Sequence, residues 1–305
     1  MTGANNLHWY GAPLTGATAI IGIFDGVHKG HQRIIERALA LGNPVVALTF
    51  NPHPASVVAP HRIPTELLPV QERIHQLLSH GVSSVAVIEF THEFSMMSAE
   101  SFIEEILERE LQATNVVIGS NFRFGHKAEG TPEFLADKAK FPVISLDLEA
   151  ELGAPISSTR IREAITGGNI EVAKDLLTRP HQLMGPVVHG EKRGRTIGYP
   201  TANIAVSDQA TIPSDGVYAG WLTVGSNRWP AAISIGTNPT FDGIRGRQIE
   251  AYALDQKDLD LYDHIAKVEF GWRLRDTIKF SGLDPLLIQM KIDCDKAREL
   301  TRDHA

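Results

Sequence analysis

His28 and His31 stand in the segment Gly22-Ile23-Phe24-Asp25-Gly26-Val27-His28-Lys29-Gly30-His31. The segment leads from an apolar run, Ala19 to Ile23, into a helix-like stretch, Gln32 to Leu41. Backbone N–H groups at a helix start attract anions, and the helix dipole adds to the attraction. Imidazoles placed there can donate hydrogen bonds to a phosphate as its charge shifts. The spacing therefore points to a site for a nucleotide α-phosphate, with Gly22, Phe24, Asp25 and Gly30 shaping the turn. Alone, the same residues would read as a tight strand-to-helix connection. Their place after the first strand of a β/α series, where open parallel sheets bind ligands, favours the site.

Other familiar phosphate signatures are missing. Neither G-x-G-x-x-G nor G-x-x-x-x-G-K-[ST] occurs. A second group is Ser157-Ser158-Thr159-Arg160-Ile161-Arg162, with hydroxyls at a helix start and Arg162 in its first turns. Arginine there opposes the dipole unless an anion meets it, and ordinary capping is an equally good reading. A third is the stretch from Gly185 to Asn203, with glycines at 190, 194 and 198 and cations at Lys192, Arg193 and Arg195. Glycines let backbone approach a ligand closely. Within this stretch Pro200 precedes Thr201, and Thr201 and Asn203 offer oxygens for Mg²⁺ and a phosphate. A flexible basic hairpin is the plainer alternative. Two shorter stretches follow strands: Asn51-Pro52-His53 and Asn121-Phe122-Arg123. Phe122 could stack on a planar ring or simply pack beneath a turn.

The elements that would hold these groups fall into two patterns. Strands are expected at Ala19–Ile23, Pro44–Phe50, Ser84–Phe90, Asn115–Ile118 and Pro142–Leu146, with helices at Gln32–Leu41, Val70–His80, Ala99–Leu111 and Pro132–Lys140 between them. Alternating strands and helices imply a doubly wound parallel sheet. Thr131-Pro132 reads as an N-cap followed by proline at the first helical position. Two more helices, Ser158–Thr166 and Ile170–Leu177, come next. After about residue 180 strand-like runs take over at Val187–Val188, Gly216–Val224, Trp229–Ile235, Gln248–Leu254 and Ile265–Trp272, which reads as an antiparallel barrel or sandwich. A last helix is expected over Leu283–Leu300. The division is placed at 1–183 and 184–305.

The 305 residues suffice for two domains, and 43% hydrophobic with 21% charged is ordinary globular composition. A net charge of −7 gives no global field for nucleic acid. The single cysteine, Cys294, rules out an internal disulfide and a cysteine-built zinc site. No targeting signal or membrane-length apolar run is read, so the expectation is a cytoplasmic protein without membrane or nucleic-acid partners. Self-association into a homo-oligomer is left open.

Taken together the motifs resemble the bifunctional bacterial riboflavin kinase/FMN adenylyltransferase (FAD synthetase) family over nearly the whole chain. G-x-F-D-G-V-H-x-G-H, T-F-x-P-H-P, F-R-F-G and I-S-S-T-R-I-R resemble its adenylyltransferase half. G-R-x-x-G-x-P-T-A-N, D-G-V-Y-A-G-W and S-I-G-T-N-P-T-F resemble its kinase half. The resemblance implies an α/β Rossmann-like nucleotidylyltransferase domain, then an all-β Greek-key barrel of the riboflavin kinase kind with a C-terminal helix. It implies that riboflavin and ATP give FMN and ADP, and that FMN and a second ATP give FAD and pyrophosphate. Small molecules are then the partners and Mg²⁺ the cofactor.

By the same resemblance Glu250 at the mouth of the barrel accepts the proton of the ribityl 5′-hydroxyl, and Thr201 and Asn203 hold Mg²⁺ and ATP phosphates. His28 and His31 stabilise charge on the α-phosphate, assisted by Ser158, Thr159 and Arg162. Asn51 and Asn121 stand where the family often has acids, and an amide cannot attract Mg²⁺ by charge. A chain with a working kinase half alone, or a module that senses flavin without turnover, are the competing readings.

Overall fold

The computed structural model describes residues 7–147, 150–151, 153–190, 197–237, 247–256 and 259–302. They belong to two compact units, Met1–Ser158 and Thr159–Ala305.

The first unit is built on β1 (Leu7–Tyr10), β2 (Thr18–Ile21), β3 (Val45–Asn51), β4 (Ser84–Glu89), β5 (Asn115–Gly119) and β6 (Val143–Leu146). They form one sheet in the order β1-β4-β3-β2-β5-β6. Strands β2 to β6 run parallel, as the β/α alternation predicts, whereas β1 pairs antiparallel with β4 at the edge and makes the sheet mixed. A short, mostly half-buried edge strand carries too little apolar signal to be read from sequence. The helices are α1 (Lys29–Leu39), α2 (Pro54–Val58), α3 (Val70–Ser79), α4 (His92–Ser95), α5 (Ala99–Ser101) and α6 (Pro132–Lys138). After α5 the chain continues as a wider π-helix over Phe102–Glu110. Thr131 caps α6 as expected, its hydroxyl accepting from the Phe134 N–H at 3.2 Å.

Successive strand residues point to opposite faces. Ile20, Val45, Ala47, Val85 and Val117 pack with Ile35 and Ala38 of α1 and Ile74 and Leu77 of α3. Ala19, Ile21, Val46, Leu48, Ile88 and Val116 pack with Phe102, Ile103, Leu107 and Leu135. Both faces are covered, which is why these strands read as continuous apolar runs. Truncating a fully buried side chain such as Leu77 would cost about 2–5 kcal/mol. The chain moves outward from β2 through β3 to β4, then returns to the other side of β2 with β5. The loops after β2 and β5 diverge at this reversal, which is where open α/β sheets bind ligands. A small pair, β7 (Ala150–Glu151) and β8 (Ala154–Pro155), lies near the end of this unit.

Helix α7 (Ser158–Thr166) starts on the last residue of the first unit and otherwise belongs to the second, where α8 (Ile170–Leu177) follows it. Then come β9 (His181–Val188), β10 (Ala202–Ile204), β11 (Gly216–Val224), β12 (Asn227–Thr237), β13 (Arg247–Ala253) and β14 (Ile265–Arg275). They close into an antiparallel barrel, β10-β13-β12-β11-β14-β9, sealed by the β9–β10 pairing. Ile204, Leu222, Ile233, Ile249, Ala251, Val268 and Phe270 are buried at alternating positions and fill the barrel. Gly220 is required at its place, because a Cβ there would run into the Glu269 carbonyl. His181 is fully buried, with Nε2 2.7 Å from the Thr211 carbonyl, and burial pushes its imidazole down to about 4. Helix α9 (Leu283–Thr301) lies on the outside, its Cys294 and Ala297 packed with Ala219, Ala232 and Tyr252 of the outer face. Burial raises the Cys294 thiol to about 11, so it stays protonated, in line with an unreactive helix cysteine.

Candidate active sites

In the first unit the β2–α1 connection is under backbone strain. Phe24 has φ 53° and the β-branched Val27 has φ 42°, values that side chains of this kind rarely adopt. The neighbours hold the turn in place. The Ile23 carbonyl accepts from the Thr49 hydroxyl at 3.0 Å and from the Arg73 guanidinium at 2.6 Å. The Asp25 carboxylate accepts from the backbone N–H of Leu67, at 3.0 and 3.1 Å, and of Leu68, at 3.1 Å. The Asp25 carbonyl accepts from the Ser158 hydroxyl at 2.9 Å. Gln32 reaches back to the Val27 carbonyl at 2.9 Å.

This framework fixes the two histidines. His28 is the N-cap residue of α1 and His31 lies in its first turn, so their rings stack with centroids 3.7 Å apart and planes at 16°. Phe24 meets the His31 ring edge-on at 5.2 Å. Burial, then the nearby His28 and the Arg73 charge, hold the His31 imidazole well below its ordinary value. It is therefore neutral at pH 7. Its Nδ1 is buried without a hydrogen-bond partner among the described residues. An unpaired buried N–H is rarer than an unpaired acceptor, so the tautomer with the proton on Nε2 is favoured. That leaves Nε2 as a donor at a helix N-terminus, with Gly22 and Gly30 completing the turn.

The other residues singled out with the histidines lie after β3, after β5 and at the start of α7, where Thr159 and Arg162 already belong to the second unit. Asn51 is exposed at the end of β3, and His53 caps α2, its Nδ1 accepting from the Ala55 N–H at 3.0 Å. Asn121 and Arg123 are exposed after β5. Phe122 stacks on the buried Phe124 at 5.5 Å, so one face is spent on the core. Ser157 is half-buried just before α7, Thr159 is exposed on it and Arg162 is half-buried. Two contributors to the framework escaped the sequence reading. Thr49 lies in an apolar strand, and Arg73 is 3% exposed on the otherwise apolar face of α3. A lone arginine on a buried helix face was the available signal.

In the barrel unit, strand register aligns Asn203 with Glu250 and Glu250 with Ser234. Their neighbours Ile249, Ala251 and Ile233 fill the interior, so this row faces outward. Glu250 thus stands mid-strand on the outer face, whereas the sequence reading puts it at the barrel's mouth. The Thr201 hydroxyl donates to its Oε2 at 3.3 Å. Both line a cavity of about 250 Å³ between β12–β13 and α9, walled by Tyr199, Tyr252, Phe280 and Met290. Tyr199 and Tyr252 meet edge-on at 5.2 Å. Arg275 on β14 grips Asp293 of α9 through Nε at 3.0 Å and Nη2 at 2.7 Å, which pins the helix to the barrel. Gly190 lies against the Asn203 amide so closely that a Cβ would come within 2.6 Å of its Cγ. Gly198 has a φ of 86°, next to the half-buried Tyr199 and the exposed Pro200. Arg195, singled out as a phosphate cation, lies outside the described residues. No cluster of three or more His, Cys, Asp or Glu able to hold a metal occurs among the described residues.

The description FAD synthetase fits residues 12–160 as a family, and riboflavin kinase fits residues 177–301. A bifunctional riboflavin kinase/FMN adenylyltransferase from Listeria monocytogenes is 38% identical, covering 90% of this chain and 88% of that protein. The enzyme of the same description from Escherichia coli is 36% identical, covering 94% of each. The chain belongs to the bifunctional riboflavin kinase/FMN adenylyltransferase family. The crystal structure of a Macrolide-efflux Protein from Streptococcus pneumoniae matches with a TM-score of 0.86 at 34% identity, covering 94% of this chain and 95% of that one. Among the described residues of this family member, no helix is long and apolar enough to cross a membrane. The two family ranges fall on the two architectures expected for such an enzyme, the mixed α/β sheet and the closed barrel.

Proposed function

We propose that the chain performs both reactions of its family, with Glu250 serving the kinase step and the His28–His31 pair the adenylylation step. The observation that carries the kinase assignment is the Thr201–Glu250 contact at the wall of a largely apolar cavity. A flat flavin ring fits such walls, and a carboxylate beside it can take a proton. The ribityl 5′-hydroxyl attacks the γ-phosphorus of ATP, its proton passes to the Glu250 carboxylate, and ADP leaves. Thr201 and Asn203 supply neutral oxygens near that carboxylate. This donor set suits Mg²⁺ held mainly by phosphates and water. Such an ion would neutralise phosphate charge during transfer. Gly190 supports Asn203, and Arg195, Gly198 and Pro200 belong to the stretch of sequence assigned to the phosphates.

In the adenylylation step an FMN phosphate oxygen attacks the α-phosphorus of ATP and pyrophosphate leaves. The attacking group is already anionic, so orientation and charge stabilisation carry the rate. Neutral His31 and its partner His28 donate to the α-phosphate at the start of α1. Asn51, His53, Asn121, Phe122 and Arg123 are assigned to nucleotide binding. Ser157, Ser158, Thr159 and Arg162 are assigned to the phosphates. Residues 1–183 and 184–305 are taken as the two functional halves, working on small molecules in the cytoplasm.

Incubation with riboflavin, ATP and Mg²⁺, followed by chromatography of the flavins, tests this. FAD supports both activities. FMN alone leaves only the kinase, and unchanged riboflavin would reduce the protein to a ligand sensor.

A further inference from the structure

Arg73 is a buried cation to which the steps described above give no part. It is 3% exposed on α3, and its Nη1 donates to the Ile23 carbonyl at 2.6 Å. That carbonyl lies between β2 and the strained pair Phe24 and Val27. The contact is one half of a reciprocal lacing. From the other side, the Asp25 carboxylate accepts the N–H groups of Leu67 and Leu68, just ahead of α3. The strained turn is therefore tied to the approach and the first turns of α3 in both directions. Burying a guanidinium is costly, and its Nε has no hydrogen-bond partner among the described residues. An apolar residue would fill a helix's buried face more cheaply.

We propose that Arg73 is a positioning residue for adenylyl transfer, holding the Ile23–Val27 turn so that His28 and His31 face the α-phosphate. This rests on the role given above to the histidine pair. Its charge has a second effect. The groups that act on His31 are His28 from the turn and Arg73 from α3, and Arg73 in turn feels Asp25 from the turn and Glu66 from the approach to α3. Arg73 and His28 both oppose a proton on His31, in the same direction as burial. The arginine thereby helps to keep His31 in the form that carries one proton on Nε2.

The test uses the full-length chain with Arg73→Met and Arg73→Lys. FAD formation from supplied FMN is followed against pH, FMN formation from riboflavin serves as the control, and the His31 imidazole is titrated by NMR. In Arg73→Met, kcat for FAD formation should fall about tenfold or more, with a smaller change in the KM for ATP. The acid limb of its pH profile and the NMR titration of His31 should both move to higher pH. FMN formation should stay within about twofold of the parent, a difference worth under about 0.5 kcal/mol. Arg73→Lys keeps the charge without the planar fork. It should leave His31 titrating as in the parent while kcat remains reduced. An Arg73→Met protein with parental kcat, or with His31 titrating unchanged, overturns the proposal. If Arg73→Met does not fold, Arg73→Lys decides, and a parental rate there counts against the proposal. A parent chain that makes no FAD from FMN refutes the adenylylation assignment instead, whatever the His31 titration shows.

Discussion

Thr201 and Glu250 come from separate parts of the barrel unit and meet through one hydrogen bond, hydroxyl to carboxylate, at 3.3 Å. Thr201 stands just ahead of β10, and β10 pairs with β13, which carries Glu250. The contact is thus a product of strand register, and shifting β13 by one residue would turn Glu250 into the barrel interior.

Glu250→Ala should lower FMN formation by about 10²–10⁴-fold, the usual worth of a positioned base. Conversion of supplied FMN to FAD should persist. Chromatography of both reactions checks this, and undiminished FMN formation removes Glu250 from its role.

His28→Ala should abolish FAD formation while FMN accumulates from riboflavin. It removes one ring of the stacked pair but nothing from the barrel. Equal loss of both products in a folded variant would contradict separate sites.

Gly190→Ala forces the Asn203 amide to move, because the added Cβ and that amide overlap. FMN formation should drop about tenfold or more through poorer phosphate positioning, with FAD formation from FMN intact. A crystal structure of the variant with Asn203 unmoved would break the argument.

His181 links stability to pH. Its folded pKa is about 4 against an ordinary 6.5, so the unfolded chain binds the extra proton first. Stability is full above about 6.5 and declines as pH falls toward 4, by at most about 3 kcal/mol at about 1.4 kcal/mol per unit. Urea melts at pH 7 and pH 5 should show the loss in the parent and a smaller one in His181→Leu. Parallel pH dependence in the two proteins would acquit this histidine.

Asp293 is 6% exposed and gripped by Arg275. Arg275→Met leaves that carboxylate buried without its cation, at a cost of about 3–5 kcal/mol. Thermal melts should show the loss, and the KM for riboflavin should rise as α9 loosens over the cavity.

Long-range order in the sheet unit was legible where burial is two-sided. Val45 to Leu48 and Val85 to Ile88 are apolar throughout, and they lie in β3 and β4, both flanked by strands on either side. The C-terminal helix was legible from apolar residues near helical spacing, and the hairpin strands β11 and β12 from the turn residues Gly225 to Asn227 between them. His181 and Gln182 at the start of β9 hid that strand's true length, because polar residues buried by tertiary contacts look like a loop. The histidine pair and Glu250 were visible as residue types in a recognisable order. Their supports were not. Nothing local to Arg73 or Thr49 announces the Ile23 carbonyl, which lies 50 and 26 residues away along the chain. The outward orientation of Glu250 likewise follows from register with Asn203 and Ser234, which only pairing partners fix.

The barrel is solid inside, and the cavity lies outside it, beneath an appended helix. The cavity's floor is strand residues such as Ser234, Glu250 and Tyr252, and its cover is Phe280 with Leu286 and Met290 of α9. On the flavin placement proposed above, substitutions in that cover would recast substrate range while the strands keep their hydrogen-bond ladder.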